Sequence, residues 1–421
     1  MNRLLIQTLL LFPPVKRYVK EIQDLRNETI KLQSEIQKIN GRKNHSRSPA
    51  LCNSSDDLLT ERLLSHPVVE AFPKVVLGKC FAEDNPQRIL VAERLLKAYH
   101  KSVRDEKLST LQRKGEDLWT GLIRNELPEL MSYIDESNAE KLAHYLMHFG
   151  ESFVWFGGIT TCIDGYNRNL APEHVALTYL DKLVCLGEYL GVIPFENPEC
   201  GPWGANLQVN ANDLIEKIED ALEISIIPPS GAIYIDGLET EKGLLHYRHI
   251  NGLYSAIRAN ELSDNAGPCC EFGGGIGITA MYAHRMGICN YTILDLPITC
   301  LLAGHYLLHT VGLDSINLYG EEQKTDAIKI LPYWECTKLP DKHYSLTLNQ
   351  DSFPEIADNL LEEYLLQINR ITKHYFLSIN HECFYPRTVD RFANRAKGYK
   401  KIYRSKYWVR EGYIEELFRI K

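Results

Sequence analysis

The amino-acid sequence predicts an α/β protein. It reads as a Rossmann-like, mostly parallel sheet over residues 246–421, a mainly helical domain over 58–245, and a short coiled coil within 1–45 joined through a linker at 46–57. Three observations carry this. A short apolar strand, a glycine-rich turn and a helix follow one another from Cys269 to Met286; apolar runs then alternate with helical patterns to the C-terminus; and apolar residues repeat in heptads from Val15 to Ile39. Strand, glycine turn and helix in that order make the nucleotide-binding unit of a doubly wound sheet.

The 421 residues allow two or three domains at roughly 150 residues each. With 44% hydrophobic and 24% charged residues the composition is that of an ordinary soluble globular protein. The 47 Lys and Arg against 55 Asp and Glu leave a net charge of −8, which argues against a nucleic-acid partner, because neutralising phosphates needs a basic face. The 11 cysteines lie singly apart from Cys269-Cys270, with no Cys-x-x-Cys or His-x-x-x-His spacing. That pattern fits free thiols in a reducing cytoplasm and not a zinc site; Cys269 and Cys270 read as small buried strand residues.

At the N-terminus, Leu4 to Phe12 is apolar but, at about nine residues, too short to span a bilayer, and it lacks a cleavage site; a weak peripheral membrane contact stays open. After Pro13-Pro14 the heptad positions Val15, Tyr18, Ile22, Leu25, Leu32, Ile36 and Ile39 form a seam that cannot bury itself alone, so a homo-oligomer is expected. A polar stretch from Gly41 to Asp57 reads as linker. Helical spacing then dominates from Leu58 to Gly191, for example over Glu140 to Met147 and Pro172 to Leu190. Phe195 to Asn206 is an irregular loop in which Trp203 reads either as a core anchor or as an aromatic platform for a substrate ring.

In the core unit, Cys269 to Phe272 is a strand, Gly273 to Gly277 the turn, and Ile278 to Met286 the helix. Glycines suit a turn where the backbone bends sharply and a ligand approaches closely. The next strand, Tyr291 to Leu294, ends at Asp295, placed where a carboxylate accepts both hydrogens of a ribose diol. Counting from Gly273 and Gly275, the third glycine of a dinucleotide turn is replaced by Ile278, and Glu271 precedes the turn. An acid there suits a cationic methionine moiety better than a diphosphate, so S-adenosylmethionine fits better than NAD.

Glu271-Phe-Gly-Gly-Gly-Ile-Gly277, Tyr291-Thr-Ile-Leu-Asp-Leu-Pro297, Asn349-Gln-Asp-Ser-Phe-Pro-Glu355 and Leu377-Ser-Ile-Asn-His-Glu382 occur in this order. With Asn197 to Gly204 and Tyr407 to Glu416 they resemble the sugar O-methyltransferase family of bacterial surface-polysaccharide gene clusters, over about half of the chain. The resemblance implies a class I methyltransferase domain, S-adenosylmethionine as cofactor and a carbohydrate substrate.

The pattern continues with a helix over Ile298 to Val311 and a third strand, Ile316 to Tyr319, followed by Glu321, which the resemblance implies to lie near the adenine. A fourth strand, Tyr344 to Leu348, carries Asn349, Asp351 and Glu355 at its end, followed by a helix over Phe353 to Ile371. A fifth, His374 to Ile379, ends in Asn380-His381-Glu382, and Tyr413 to Ile420 reads as an antiparallel edge strand. Cofactor contacts are thus expected at Glu271, Gly273, Gly275, Gly277, Asp295, Glu321 and Asn349. A sugar hydroxyl needs its proton removed as the methyl group arrives. His381 is the first choice of base, oriented by Glu382 or Asp351; Asp351 is the second, acting directly or through a divalent metal shared with Glu355 or Glu382. Trp203, Arg248, Tyr254 and Glu355 are the expected acceptor contacts, with His249, His284, His305 and His309 structural. The readings that compete are methyl transfer to a phenol or small metabolite, a nicotinamide-dependent oxidoreductase, and a coiled-coil scaffold with an inactive nucleotide fold.

Overall fold

The computed structural model describes residues 74–78, 85–113, 118–151, 155–156, 159–160, 172–197, 199, 204–229, 236–263 and 266–421. The chain divides into two units, Met1–Leu59 and Thr60–Lys421. The N-terminal apolar segment, coiled coil and linker, together with Trp203, lie outside the described residues.

Helices dominate the part before the glycine turn: α1 (Arg88–Glu106), α2 (Leu118–Glu126), α3 (Pro128–Asp135), α4 (Ala139–Met147), α5 (Pro172–Tyr189), α6 (Ala211–Leu222) and α7 (Tyr247–Leu262). Their starts follow local chemistry. Pro128 opens α3, the Asn138 side chain accepts the Lys141 amide of α4, and Asn210 accepts the amides of Asn212 and Asp213 in α6. In α6, Leu214, Ile215 and Ile218 form the buried stripe that an amphipathic helix needs. Two small antiparallel sheets interrupt the helices. β1 (Val75–Leu77) pairs with β4 (Asp236–Thr240), which pairs with β5 (Gly243–Leu245), and β2 (Trp155–Phe156) pairs with β3 (Ile159–Thr160). Among the described residues no helix is long and apolar enough to cross a membrane.

The remainder is the expected α/β domain. Its strands are β6 (Cys269–Phe272), β7 (Tyr291–Asp295), β8 (Ile316–Leu318), β9 (Ile328–Pro332), β10 (Tyr344–Gln350), β11 (Thr372–His381), β12 (Tyr399–Lys406) and β13 (Tyr413–Ile420). They form one sheet in the order β12-β13-β11-β10-β6-β7-β9-β8. Strands β8 to β11 and the central pair run parallel, whereas β13 is antiparallel to both β11 and β12. All of β6 is buried and β10 nearly so, as befits parallel strands covered on both faces. Helices α8 (Ile278–Arg285), α9 (Pro297–Thr310), α10 (Asp358–Ile371) and α11 (Val389–Arg395) connect them. The chain leaves β6 toward β7 on one side and returns to β10 on the other, so a crevice opens at the carboxyl ends of β6, β7 and β10.

Three expectations change. Ile316–Leu318 is the sheet's outer edge, and the unforeseen β9 lies between it and β7. Tyr413–Ile420 is not the edge: β12 covers it, a charged strand with Lys400, Lys401, Arg404 and Lys406 exposed, which hides a strand pattern but protects an edge from pairing. The helix expected from Phe353 begins at Asp358, because buried Phe353 and Pro354 pin a separate 3₁₀ turn, Phe353–Glu355.

Candidate active site

The crevice is a cleft of about 1340 Å³, counting the solvent at its mouth. Its floor is the glycine turn. Gly273 has φ +74°, and a Cβ there would stand 2.1 Å from the Ser352 Oγ, so only glycine lets the β6 and β10 ends come together. The Gly275 amide, at φ +56°, donates to Asp295 Oδ2 at 2.9 Å, and the Leu296 amide donates to Oδ1 at 2.7 Å. The carboxylate of β7 thereby fixes the turn, its edge still facing the cleft.

Glu271 lies on the same side, buried, and accepts the Tyr291 hydroxyl at 2.9 Å. Burial pushes its carboxyl up to about 7, with the nearby Asp295 adding to the rise. Burial likewise pushes Asp295 up to about 6, against the two amides and Thr299 that favour its charge. Two carboxyls enclosed side by side are costly to ionise together, so this wall favours a ligand that brings a cation and hydroxyl donors.

The opposite wall comes from the ends of β10 and α7. Asp351, in the left-handed region at φ +59°, is pinned: its Oδ2 accepts the Arg410 guanidinium and Arg248 Nη1, the latter at 3.4 Å, and its Oδ1 accepts the Tyr413 hydroxyl. Arg248 reaches it from the first turn of α7, where His246 caps the helix by accepting the Arg248 amide at 3.1 Å. Glu355 follows on the 3₁₀ turn, half-buried and lining the cleft. From the helical part, Arg113, close enough to Asp295 to favour its charge, and Trp119 also line the cleft.

Glu271, Gly273, Gly275, Asp295, Arg248, Asp351 and Glu355 thus meet in one cleft. Six other expected contacts lie elsewhere. Gly277 caps α8 at φ +85°, and its Cβ would stand 2.7 Å from Leu307, so it serves packing. Glu321 follows the edge strand instead of β7's neighbour and is taken by Arg94 in a fork, at 2.7 and 2.8 Å, and by the Leu318 amide. Asn349 is spent holding strand ends: its amide donates to the Phe272 carbonyl at 2.6 Å and to Ser352, and its oxygen accepts Asn380. The Tyr254 hydroxyl is buried and donates to Glu415 at 2.6 Å. His381 stands beyond the wall, its Nδ1 3.0 Å from the Cys383 sulfur and its ring beside Tyr413 and Phe384; burial pulls its pKa down. Glu382 is forked by Arg404 at 2.9 and 2.7 Å. The metal trio of Asp351, Glu355 and Glu382 is therefore not assembled, and no group of three or more His, Cys, Asp or Glu side chains among the described residues is placed to hold a metal ion.

Arg410, Tyr413, Arg113 and Trp119 were not foreseen. Arg410 and Tyr413 had a signal, their place inside the Tyr407 to Glu416 motif. Cys269 and Cys270 are buried strand residues with thiols pushed up by burial, as read.

No family model matches the chain, and no curated protein matches it. Solved structures do. A protein of Pyrococcus horikoshii is 11% identical, with 43% of this chain and 94% of that one covered and a TM-score of 0.32. A SAM-dependent methyltransferase from Aquifex aeolicus is 14% identical, with 40% and 89% covered and a TM-score of 0.30. A geranyl diphosphate methyltransferase solved with SAM is 10% identical, with 41% and 87% covered and a TM-score of 0.30.

Proposed function

We propose that this chain is an S-adenosylmethionine-dependent O-methyltransferase whose acceptor is a sugar hydroxyl of a surface polysaccharide or its nucleotide-sugar precursor. The observation that carries the cofactor is the carboxyl pair Glu271 and Asp295 enclosed around the glycine turn. A diphosphate would be repelled there, whereas an ammonium or sulfonium group and a ribose diol satisfy both acids. Glu271 would hold the cationic end, Asp295 the ribose, and the Gly273 to Gly275 backbone admits the ligand because no side chain fills the turn. When bound, the cofactor supplies an electrophilic methyl group, already activated by its sulfonium, so the protein's work is mostly to orient the acceptor and exclude water.

The acceptor class rests on the ordered motifs from Glu271 to Glu416, supported by aromatic Trp119 and Tyr364 and polar Gln350 and Arg248 in the cleft lining. A cytoplasmic location and assembly through the heptad belong to the same reading, the first supported by free cysteines at 269, 270, 300 and 336. The test is titration calorimetry with S-adenosylmethionine and NAD in parallel, then labelled methyl transfer to a panel of nucleotide-sugars. Binding of the methyl donor alone and labelled glycan support the reading. NAD bound in its place would overturn it.

A further inference from the structure

We propose that Glu355 is the group that takes the proton from the acceptor hydroxyl, and that Asp351, held by Arg248, Arg410 and Tyr413, is a positioning residue beside it. This rests on the methyl-transfer reading and names the base within that site. The geometry separates the acids at the strand tips by what already holds them. Asp351 is gripped by two guanidiniums and a phenol, and Glu382 is forked by Arg404 away from the cleft. Glu355 lines the cleft, and among the described residues no side chain ion-pairs or hydrogen-bonds with its carboxyl. Its backbone is nonetheless fixed. Phe353 and Pro354 are buried, the Glu355 amide donates to the Ser352 carbonyl at 3.1 Å, and Arg387 donates to the carbonyls on either side, Pro354 at 2.7 Å and Ile356. A carboxyl on a rigid turn that lines the cleft, and unpaired, is placed for proton transfer without reorganisation.

Its surroundings suit the task. Burial and then the Asp351 charge push the Glu355 carboxyl up to about 7, while Arg410 pulls the other way. The other polar and charged groups around the turn are the Cys383 thiol and the Arg387–Asp358 pair, with Arg248 reaching Asp351 from α7. In the step, a lone pair of the acceptor oxygen forms the new C–O bond as the C–S bond of the methyl donor breaks, its electron pair remaining on sulfur. The hydroxyl proton passes to a Glu355 Oε, and the resulting acid returns it to solvent.

The experiment measures labelled-methyl turnover on the nucleotide-sugar panel together with S-adenosylhomocysteine affinity by calorimetry. Glu355→Gln should lower turnover by roughly 10²–10⁴-fold with affinity for the cofactor product unchanged, and Glu355→Asp should restore part of it. The acid limb of the wild-type pH profile should sit near neutrality and move down in Asp351→Asn, which removes a negative neighbour and frees two arginines. Glu355→Gln with near wild-type turnover, or an acid limb unmoved by Asp351→Asn, overturns the assignment. Carbon-13 NMR titration of labelled glutamate carboxyls, with the resonance identified through Glu355→Gln, works without any acceptor. A Glu355 carboxyl titrating near neutrality supports the proposal, and one titrating in the ordinary carboxylate range overturns it. Failure of S-adenosylmethionine to bind would instead defeat the methyl-transfer reading, which the calorimetry shows separately.

Discussion

The two walls of the cleft were not equally readable. On the β6 and β7 wall, Glu271, the glycine turn and Asp295 stand where the spacing put them, because backbone conformation fixes them: a strand end, a left-handed turn and the next strand end. On the β10 and β11 wall, three acids and a histidine follow the strand ends just as regularly, yet the roles of Asp351 and Glu382 are set by partners far away in sequence. Arg410 and Tyr413 come from the β12–β13 turn and β13, Arg248 from α7 and Arg404 from β12. Local spacing places a residue at a sheet's tip; long-range pairing decides whether its side chain is available.

The sharpest way to break this contrast is Gly273→Ala. The left-handed backbone costs a non-glycine residue about 1–3 kcal/mol, and the Cβ would also meet Ser352 at 2.1 Å, itself bonded to Asn349. Thermal unfolding should drop by several degrees and cofactor binding should be lost. A variant as stable as the parent, with binding intact, would show that the turn is not what joins the two walls.

Asp295→Ala comes next. Leaving ribose hydroxyls without their charged acceptor should weaken S-adenosylmethionine binding by about 1–3 kcal/mol in calorimetry. Unchanged affinity would mean that the carboxylate serves only the Gly275 and Leu296 amides.

The same acids predict a pH dependence. Glu271 and Asp295 have folded-state values raised to about 7 and about 6, so their contribution to stability is full below the unfolded carboxylate values and is lost as pH rises through the folded ones. The melting temperature of the free protein should therefore fall between about pH 4 and pH 7. A cationic ligand favours the ionised acids, so its affinity should rise over that window, with proton release visible when calorimetry is repeated in buffers of different ionisation heat. Asp295→Asn should flatten both trends; a slope unchanged in that variant places its origin elsewhere.

What stayed hidden has a common cause. The central strands were legible because burial on both faces makes them continuous apolar runs, as in Cys269 to Phe272 and Tyr344 to Leu348. β12 was not, since its exposed lysines and Arg404 look like a solvated loop. β9 was missed too, and its insertion beside β7 moved Glu321 one strand too far out for the adenine expected there. Asn349 sits at a correctly placed strand end, but three hydrogen bonds to Phe272, Ser352 and Asn380 consume it. No local pattern reports that.

The smallest expected effect belongs to the residue that spacing ranked first. His381 is only half-buried, faces Cys383 and the Tyr413 ring, and lies outside the cleft lining. Burial pulls its pKa down, which disfavours a positive charge near Asp351. Removing it in His381→Ala deletes packing against Tyr413 and leaves the hydroxyl that Tyr413 gives to Asp351. Cofactor affinity should hold and turnover should change by less than about tenfold, well short of the 10²–10⁴ expected of a base. If instead His381→Ala silences the enzyme while Glu355→Gln spares it, the imidazole must swing toward the cleft when an acceptor binds. Strand-tip position would then have been the better guide to chemistry on both walls.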